Sequence, residues 1–195
     1  LAAHVYLSLA RRFDGGLARL GGLSLVAGVA AAEALRAAGH AEVGLKWPND
    51  LFAGGRKLGG LLIEGGGEHG GPVQAVIGIG INVRMPEAAA RTIGQPWTDL
   101  SRLAAGPVSR DAVVVALLAR LLPALDLFDA EGLAPFLPRF AALDVLRGRE
   151  VTVAGGAASE SGIALGVADD GALRVDVAGR VRLFHAGEVS VRAAG

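Results

Sequence analysis

The sequence predicts an α+β protein in which a mixed sheet flanked by helices is followed by a small β-barrel of the SH3 type. Three features lead there. The order of elements up to about residue 146 is strand, helix, several strands, then helices, which suits a sheet with helices layered on it. From Arg149 onward the text changes to short alternating runs broken by Gly155-Gly156, Asp170-Gly171 and Ala178-Gly179. Finally, 52% of the 195 residues are apolar and the charges balance, so the chain can bury a core. The predicted boundaries are 1–146 for the first domain and 147–195 for the second.

His4–Ala10 alternates around Val5, Leu7 and Leu9, as a strand does. Leu17–Ala38 reads as a helix ending at Gly39, and Gly21, Gly22, Ser24, Ala27 and Gly28 keep it slim enough to lie close against a sheet. Val43–Trp47 is a short strand that enters the turn Pro48-Asn49-Asp50. Lys57–Glu64 and Val73–Val83 are the two strongest strand signals, joined by a glycine-rich loop over Gly65–Gly71. Asp111–Asp129 follows a capping Ser109 and carries Val113, Val114, Leu117, Leu118, Leu121 and Leu125 on one face, with Pro123 expected to kink it. Gly132–Leu143 is predicted as a second, shorter helix. Five strands follow, over Glu150–Val153, Ser159–Val167, Ala172–Val177, Arg180–His185 and Val189–Arg192.

Composition narrows the function. A formal net charge of zero argues against bulk electrostatic binding to nucleic acid or membrane. The chain has no cysteine, which removes disulfides, thiolate metal sites and cysteine nucleophiles, and fits a cytoplasmic location. His4, His40, His69 and His185 are scattered, with no pair at metal-ligand spacing. The longest apolar run, Leu20–Ala32, falls short of the roughly 20 residues that a membrane span requires and reads as a buried helix. No signal-peptide pattern opens the chain, and the first residue is Leu1, so it reads as a fragment.

Chemistry concentrates in Lys46-Trp47-Pro48-Asn49-Asp50-Leu51 and Arg56-Lys57-Leu58-Gly59-Gly60-Leu61-Leu62-Ile63-Glu64. Two lysines, an amide and a carboxylate gather there on turns and strand ends. Lysine neutralises carboxylate or phosphate oxygens, and aspartate is a magnesium ligand type. Gly59 and Gly60 would let a ligand approach the backbone beside Lys57. On spacing alone, ordinary surface charges around a hairpin explain the same residues equally well. Gly78-x-Gly80 lacks the third glycine and the following helix of a dinucleotide fingerprint, and no Gly-Lys-Ser/Thr of a phosphate loop occurs.

The wording itself is more specific. Lys46–Leu51, then the Arg56–Glu64 stretch, then Gly78-Ile79-Gly80-Ile81-Asn82-Val83, and finally Gly187-Glu188-Val189-Ser190-Val191-Arg192 resemble, in order and separation, the signatures of biotin–protein ligases. Glu131-Gly132-Leu133 and the stretch through Phe140 resemble that family's passage into its last domain, so the resemblance runs over essentially the whole chain. It implies a catalytic domain of the class II synthetase-like, biotin ligase type, and an enzyme that uses ATP to make biotinyl-5′-AMP and then passes biotin to a lysine of a carboxylase's biotin carrier domain. Magnesium would accompany the ATP.

By resemblance Lys57 matches the lysine that reaches the biotin carboxylate and adenylate phosphate, and Lys57 and Asp50 are the expected catalytic residues, with Asp50 also the candidate magnesium ligand. Lys46, Trp47, Asn49, Gly59, Gly60, Gly80, Asn82, Glu188 and Arg192 are expected around substrate and nucleotide. Lys46 either lines the nucleotide or pairs with a neighbouring carboxylate, and Trp47 either packs or faces adenine. The family's Gly/Arg-rich loop over biotin has no match in the chain and would precede His4, so the fragment alone is expected to be inactive or very weak. A homodimer is compatible with the family's exposed sheet edges, and DNA enters only if a helix-turn-helix lies upstream. Two other readings share parts of the pattern: a lipoate or octanoate ligase or transferase of the same fold, and a regulatory protein that binds biotinyl-adenylate.

Overall fold

A computed structural model describes residues 3–14, 16–67, 72–86, 93–155, 158–187 and 190–193. The first sheet contains β1 (His4–Phe13), β2 (Gly44–Lys46), β3 (Asp50–Ala53), β4 (Arg56–Gly67) and β5 (Val73–Asn82), in the order β1-β5-β4-β3-β2. Every named strand pair in it is antiparallel, which corrects the mixed sheet that was expected. The cause is local: β2, β3, β4 and β5 follow one another by short reversals, and such connections place neighbours antiparallel. Among the described residues, parallel pairing is confined to two isolated bridges, Leu45 with Asp144 and Lys57 with Trp97. The strand β3 starts at Asp50, the last residue of the expected turn, and continues through Leu51–Ala53, for which the sequence offers no element. Gly54 and Gly55, at φ +56° and +74°, supply the two-residue reversal that pairs it with β4.

Alternation gives the sheet two unlike faces. On β5, Val73, Ala75, Ile77, Ile79 and Ile81 are buried, and the residues between them face the other way. The buried face is covered by α1 (Leu23–Ala37), which in turn packs on α3 (Arg110–Glu131); the short α2 (Leu100–Leu103) precedes α3. The helix α1 is buried nearly all round, from Leu25 through Ala32. Segment Leu17–Ala37 has the length and hydropathy of a membrane span, but its helix forms the centre of the fold. It is also interrupted, contrary to the single helix expected: Leu17–Leu20 is a 3-10 turn, and Gly22, at φ +80°, restarts the chain as α1.

The helix α3 begins at the cap expected, with Ser109 accepting from the Ala112 N–H at 3.3 Å, and runs through Pro123 as one element. The second helix expected over Gly132–Leu143 is broken into a 3-10 turn, Ala134–Phe136, and α4, Leu137–Ala141. Pro135 and Pro138 lack the N–H that a continuous helix would use. A paired guanidinium and carboxylate, Arg139 on Glu33 at 2.9 and 2.7 Å, ties α4 to α1.

The last five strands form an antiparallel sheet of their own: β6 (Glu150–Gly155), β7 (Ala158–Val167), β8 (Leu173–Val177), β9 (Arg180–Phe184) and β10 (Ser190–Ala193), in the order β10-β6-β7-β8-β9. Among the described residues the outer strands β10 and β9 make no ladder with each other. The molecule is thus α+β with two antiparallel sheets. One apolar cluster runs through both, from Phe13 and Leu51 to Val151 and Val175.

Candidate active site

The open face of the first sheet carries the expected residues by register. Asp50 lies opposite Gly60, Gly60 opposite Gly80, and Gly80 opposite Tyr6, so these four share one face. A register shift between Leu51 and Phe52 turns the hairpin so that Phe52 pairs with Lys57. Lys57 then reaches back over Gly60, and its Nζ lies 2.6 Å from Oδ1 of Asp50. A Cβ on Gly60 would sit 3.4 Å from that oxygen and 3.6 Å from the ammonium, so the missing side chain leaves a clear floor beneath the ion pair. The pair is half-buried, where a charge interaction exceeds that of a fully solvated pair.

The start of β4 is held rigidly. The Lys57 N–H donates to Pro96 O at 3.0 Å, and the Lys57 carbonyl accepts from Thr98 at 2.9 Å. Asn82 donates its side-chain amide to Thr98 O at 3.1 Å, securing the same segment. Asn49 likewise donates to Leu61 O at 2.7 Å, while Leu61 N–H donates to the Asn49 carbonyl at 2.8 Å. Asn49, expected near the adenylate, and Asn82, expected to face the nucleotide, each line one of the hollows beside Lys57. Each also donates an amide N–H to backbone and so braces the frame that carries Lys57 and Asp50.

Two hollows of about 270 Å³ each flank Lys57. One is lined by Ser8, Asp50, Leu62 and Gly78; the other by Asn82, Met85, Ile93 and Trp97. Tyr6 lines both and is 83% exposed. A larger cleft of about 680 Å³ opens between the two sheets, with Lys46, Phe52, Gln95, Arg149 and Arg192 on its walls. Burial lowers the pKa of Lys46 below its ordinary 10.5; Asp50 pulls it back up, and Lys57 and Arg192 push it down. Its ammonium stands 5.3 Å from the Phe52 ring centroid. Lys46 stands on the cleft wall and forms no ion pair among the described residues.

The structure places the other expected residues as follows, with Trp47 in the packing one of its two readings. Trp47 is 1% exposed and lies off the walls of these three cavities, with its indole N–H donating to Gly171 O at 2.9 Å. Gly59 is buried, and a Cβ there would collide with the Gly80 carbonyl, so close strand packing requires it. Glu188 lies outside the described residues. No group of three or more metal-ligating side chains occurs among the described residues, so Asp50 is a single carboxylate with one oxygen already on Lys57. That set fits an ion arriving on nucleotide phosphates better than one held in a protein cage. The sequence reading missed Arg149, Tyr6, Phe52 and Gln95. Period-two alternation could have flagged Tyr6, but nothing local marks Arg149.

Comparison with known proteins accords with this geometry. Residues 4–82 match the biotin/lipoate A/B protein ligase family, and residues 147–192 match the biotin protein ligase C terminal domain. A biotin–[acetyl-CoA-carboxylase] ligase of Paracoccus denitrificans is 31% identical over 173 residues, covering 85% of this chain and 71% of that protein. The chain belongs to the biotin protein ligase family. The bifunctional ligase/repressor BirA of Escherichia coli is 39% identical over 192 residues, 98% of this chain and 60% of its own length. The chain thus spans about 60% of the length of that relative and of its Salmonella typhimurium counterpart. The apo biotin protein ligase of Aquifex aeolicus superposes with a TM-score of 0.80 at 25% identity, covering 98% of this chain and 83% of that one. The Aquifex enzyme with biotin and ATP shares the fold, at a TM-score of 0.81 and 24% identity over 98% of this chain and 79% of that one.

Proposed function

We propose that the whole protein is an ATP-dependent biotin–protein ligase, with residues 1–146 in its catalytic domain and 147–195 forming an SH3-like C-terminal domain. The observation that carries this is the Lys57–Asp50 pair, set over the bare floor of Gly60 and next to a cleft bearing Lys46, Arg149 and Arg192. The five short antiparallel strands, with β10 returning beside β6, support the SH3-like reading.

In the first half-reaction a biotin carboxylate oxygen attacks the α-phosphorus of ATP, and the bond to the β-phosphate oxygen breaks to release pyrophosphate. Two anions must meet, so fixed cations lower the barrier. Lys57 sits where it can contact both the carboxylate and the α-phosphoryl oxygens, while Lys46, Arg149 and Arg192 receive the leaving pyrophosphate. Magnesium accompanying ATP would add further charge neutralisation, and Asp50 is the residue that would help to hold it. Asp50 orients the Lys57 ammonium through their contact. In the second half-reaction a carrier lysine amine attacks the acyl carbonyl of biotinyl-5′-AMP, forming an amide and releasing AMP and a proton. Asn49, Gly80 and Asn82 keep the floor in place, and Glu188 is assigned with Arg192 to the closing edge over the nucleotide.

The partner is the biotin carrier domain of a carboxylase and the location the cytoplasm, and a homodimer is compatible with the family's exposed sheet edges. Biotin-dependent ATP–pyrophosphate exchange in the complete protein tests the assignment, with lipoate as the control substrate. Exchange that requires biotin supports it. Exchange with lipoate alone moves the protein to a lipoate ligase, and exchange with neither leaves a regulatory protein that binds biotinyl-adenylate.

A further inference from the structure

Residues 45–47 alternate between two tasks. Leu45 and Trp47 are buried, at 3% and 1% exposure, whereas Lys46 between them turns to the cleft. Leu45 is zipped to the segment leading into the second sheet: its N–H donates to Leu143 O at 2.7 Å, and its carbonyl accepts from Val145 at 2.9 Å. Trp47 reaches the second sheet itself, at the reversal between β7 and β8.

That reversal is built to present a carbonyl. Ala168 N–H donates to Ala172 O at 2.8 Å, Gly171 N–H to Ala168 O at 2.9 Å, and Asp170 Oδ1 accepts from Ala172 at 2.9 Å. Gly171 adopts φ +85°, and its bare Cα is pressed between α1 and the segment after α3: a Cβ would lie 3.1 Å from Leu25 and 3.2 Å from Leu133. The Gly171 carbonyl is thereby fixed against the Trp47 indole at 2.9 Å. The sheet held in this way brings Arg192, on β10, and Arg149, just before β6, to the cleft with Lys46.

We propose that Trp47 is a positioning residue for the nucleotide: its hydrogen bond to Gly171 sets the C-terminal sheet so that Arg149 and Arg192 face Lys46 across the polyphosphate cleft. This rests on the ligase reading above. Adjacent residues at the end of β2 thus contribute a phosphate cation, Lys46, and, one residue past the strand, the pin that locates the other cations. Trp47 touches no substrate. Its loss is felt by ATP and not by biotin, whose carboxylate meets Lys57 on the first sheet.

The test is biotin-dependent ATP–pyrophosphate exchange in the complete protein, for wild type, Trp47→Phe, Arg149→Ala and the double variant. Trp47→Phe keeps an aromatic core and removes the donor. It is expected to raise KM for ATP about 5- to 30-fold, as loss of a partner for a buried carbonyl implies, with KM for biotin within about twofold. In the double variant the two ATP effects should combine to less than their product, because Trp47 acts through the arginines. Should Trp47→Phe fail to fold, Gly171→Ala moves the same contact from the opposite side and must give the same selective effect. Equal rises in both KM values, an unmoved ATP KM, or effects that multiply fully would overturn the positioning role alone. Wild type without biotin-dependent exchange would overturn the ligase reading and this role with it.

Discussion

Lys57 and Asp50 lie in contact because a strand register shift and a glycine let two side chains from neighbouring strands converge. Removing the ammonium by Lys57→Ala leaves biotin and ATP with an unscreened repulsion at the reacting atoms. The expected cost is about 10²- to 10³-fold in exchange rate, read by single-turnover formation of biotinyl-5′-AMP; a loss under threefold would remove Lys57 from the chemistry. Lys57→Arg keeps charge but spreads it over a planar fork, so recovery should be partial. The motif wording located this pair. It did not distinguish residues that touch ligand from those that hold the frame, since an amide or indole in the same motif serves either end. Asn49, Asn82 and Trp47 all proved to be engaged with backbone carbonyls. Arg149 was illegible for another reason: it joins the cleft only when the second sheet folds back, a long-range event with no local sign.

At the scale of elements, consecutive glycines in β4 have opposite duties, and substitution separates them. Gly59 faces the packed side, where an added Cβ meets the Gly80 backbone, which cannot move aside as a flexible side chain would. Gly59→Ala should therefore destabilise the protein by roughly 1–3 kcal/mol, a fall of ~2–4 °C in Tm per kcal/mol for a chain of this size. Gly60→Ala adds its methyl at ordinary contact distance beneath the ion pair. Its melting temperature should stay near wild type while biotin-dependent exchange falls, because the methyl fills the floor of the site. Thermal melts paired with exchange assays decide this, and a reversed order of effects would contradict the two faces assigned to β4. Strand alternation and hairpin glycines made β1, β4, β5 and the last five strands readable in the sequence. Helix ends were less so: Gly22 and the two prolines after Gly132 break apolar runs whose periodicity alone looks continuous.

Over the whole molecule, charge and burial set how it responds to its solution. The cleft gathers Lys46, Arg149 and Arg192, although the sequence as a whole is neutral. Added salt should therefore raise KM for ATP more than KM for biotin, and equal responses would mean that the nucleotide binds elsewhere. Acid stability follows from His40, which is 6% exposed at the link between α1 and β2 and has a buried Nδ1 without a partner. Burial lowers its pKa below the ordinary 6.5, with Glu42 opposing in part. The folded state then binds the proton less readily than the unfolded chain. The stability associated with neutral His40 is complete above pH 6.5 and is lost as the pH falls below it toward the folded pKa. Half-buried Asp144, whose pKa desolvation raises, acts in the opposite sense on acidification, so wild type alone is a poor gauge. The difference between wild type and His40→Gln isolates the histidine. Urea midpoints at about pH 7.5 and pH 5 should show wild type losing stability relative to the variant as pH falls, and a difference that stays constant would mean His40 keeps its ordinary affinity for the proton in the fold.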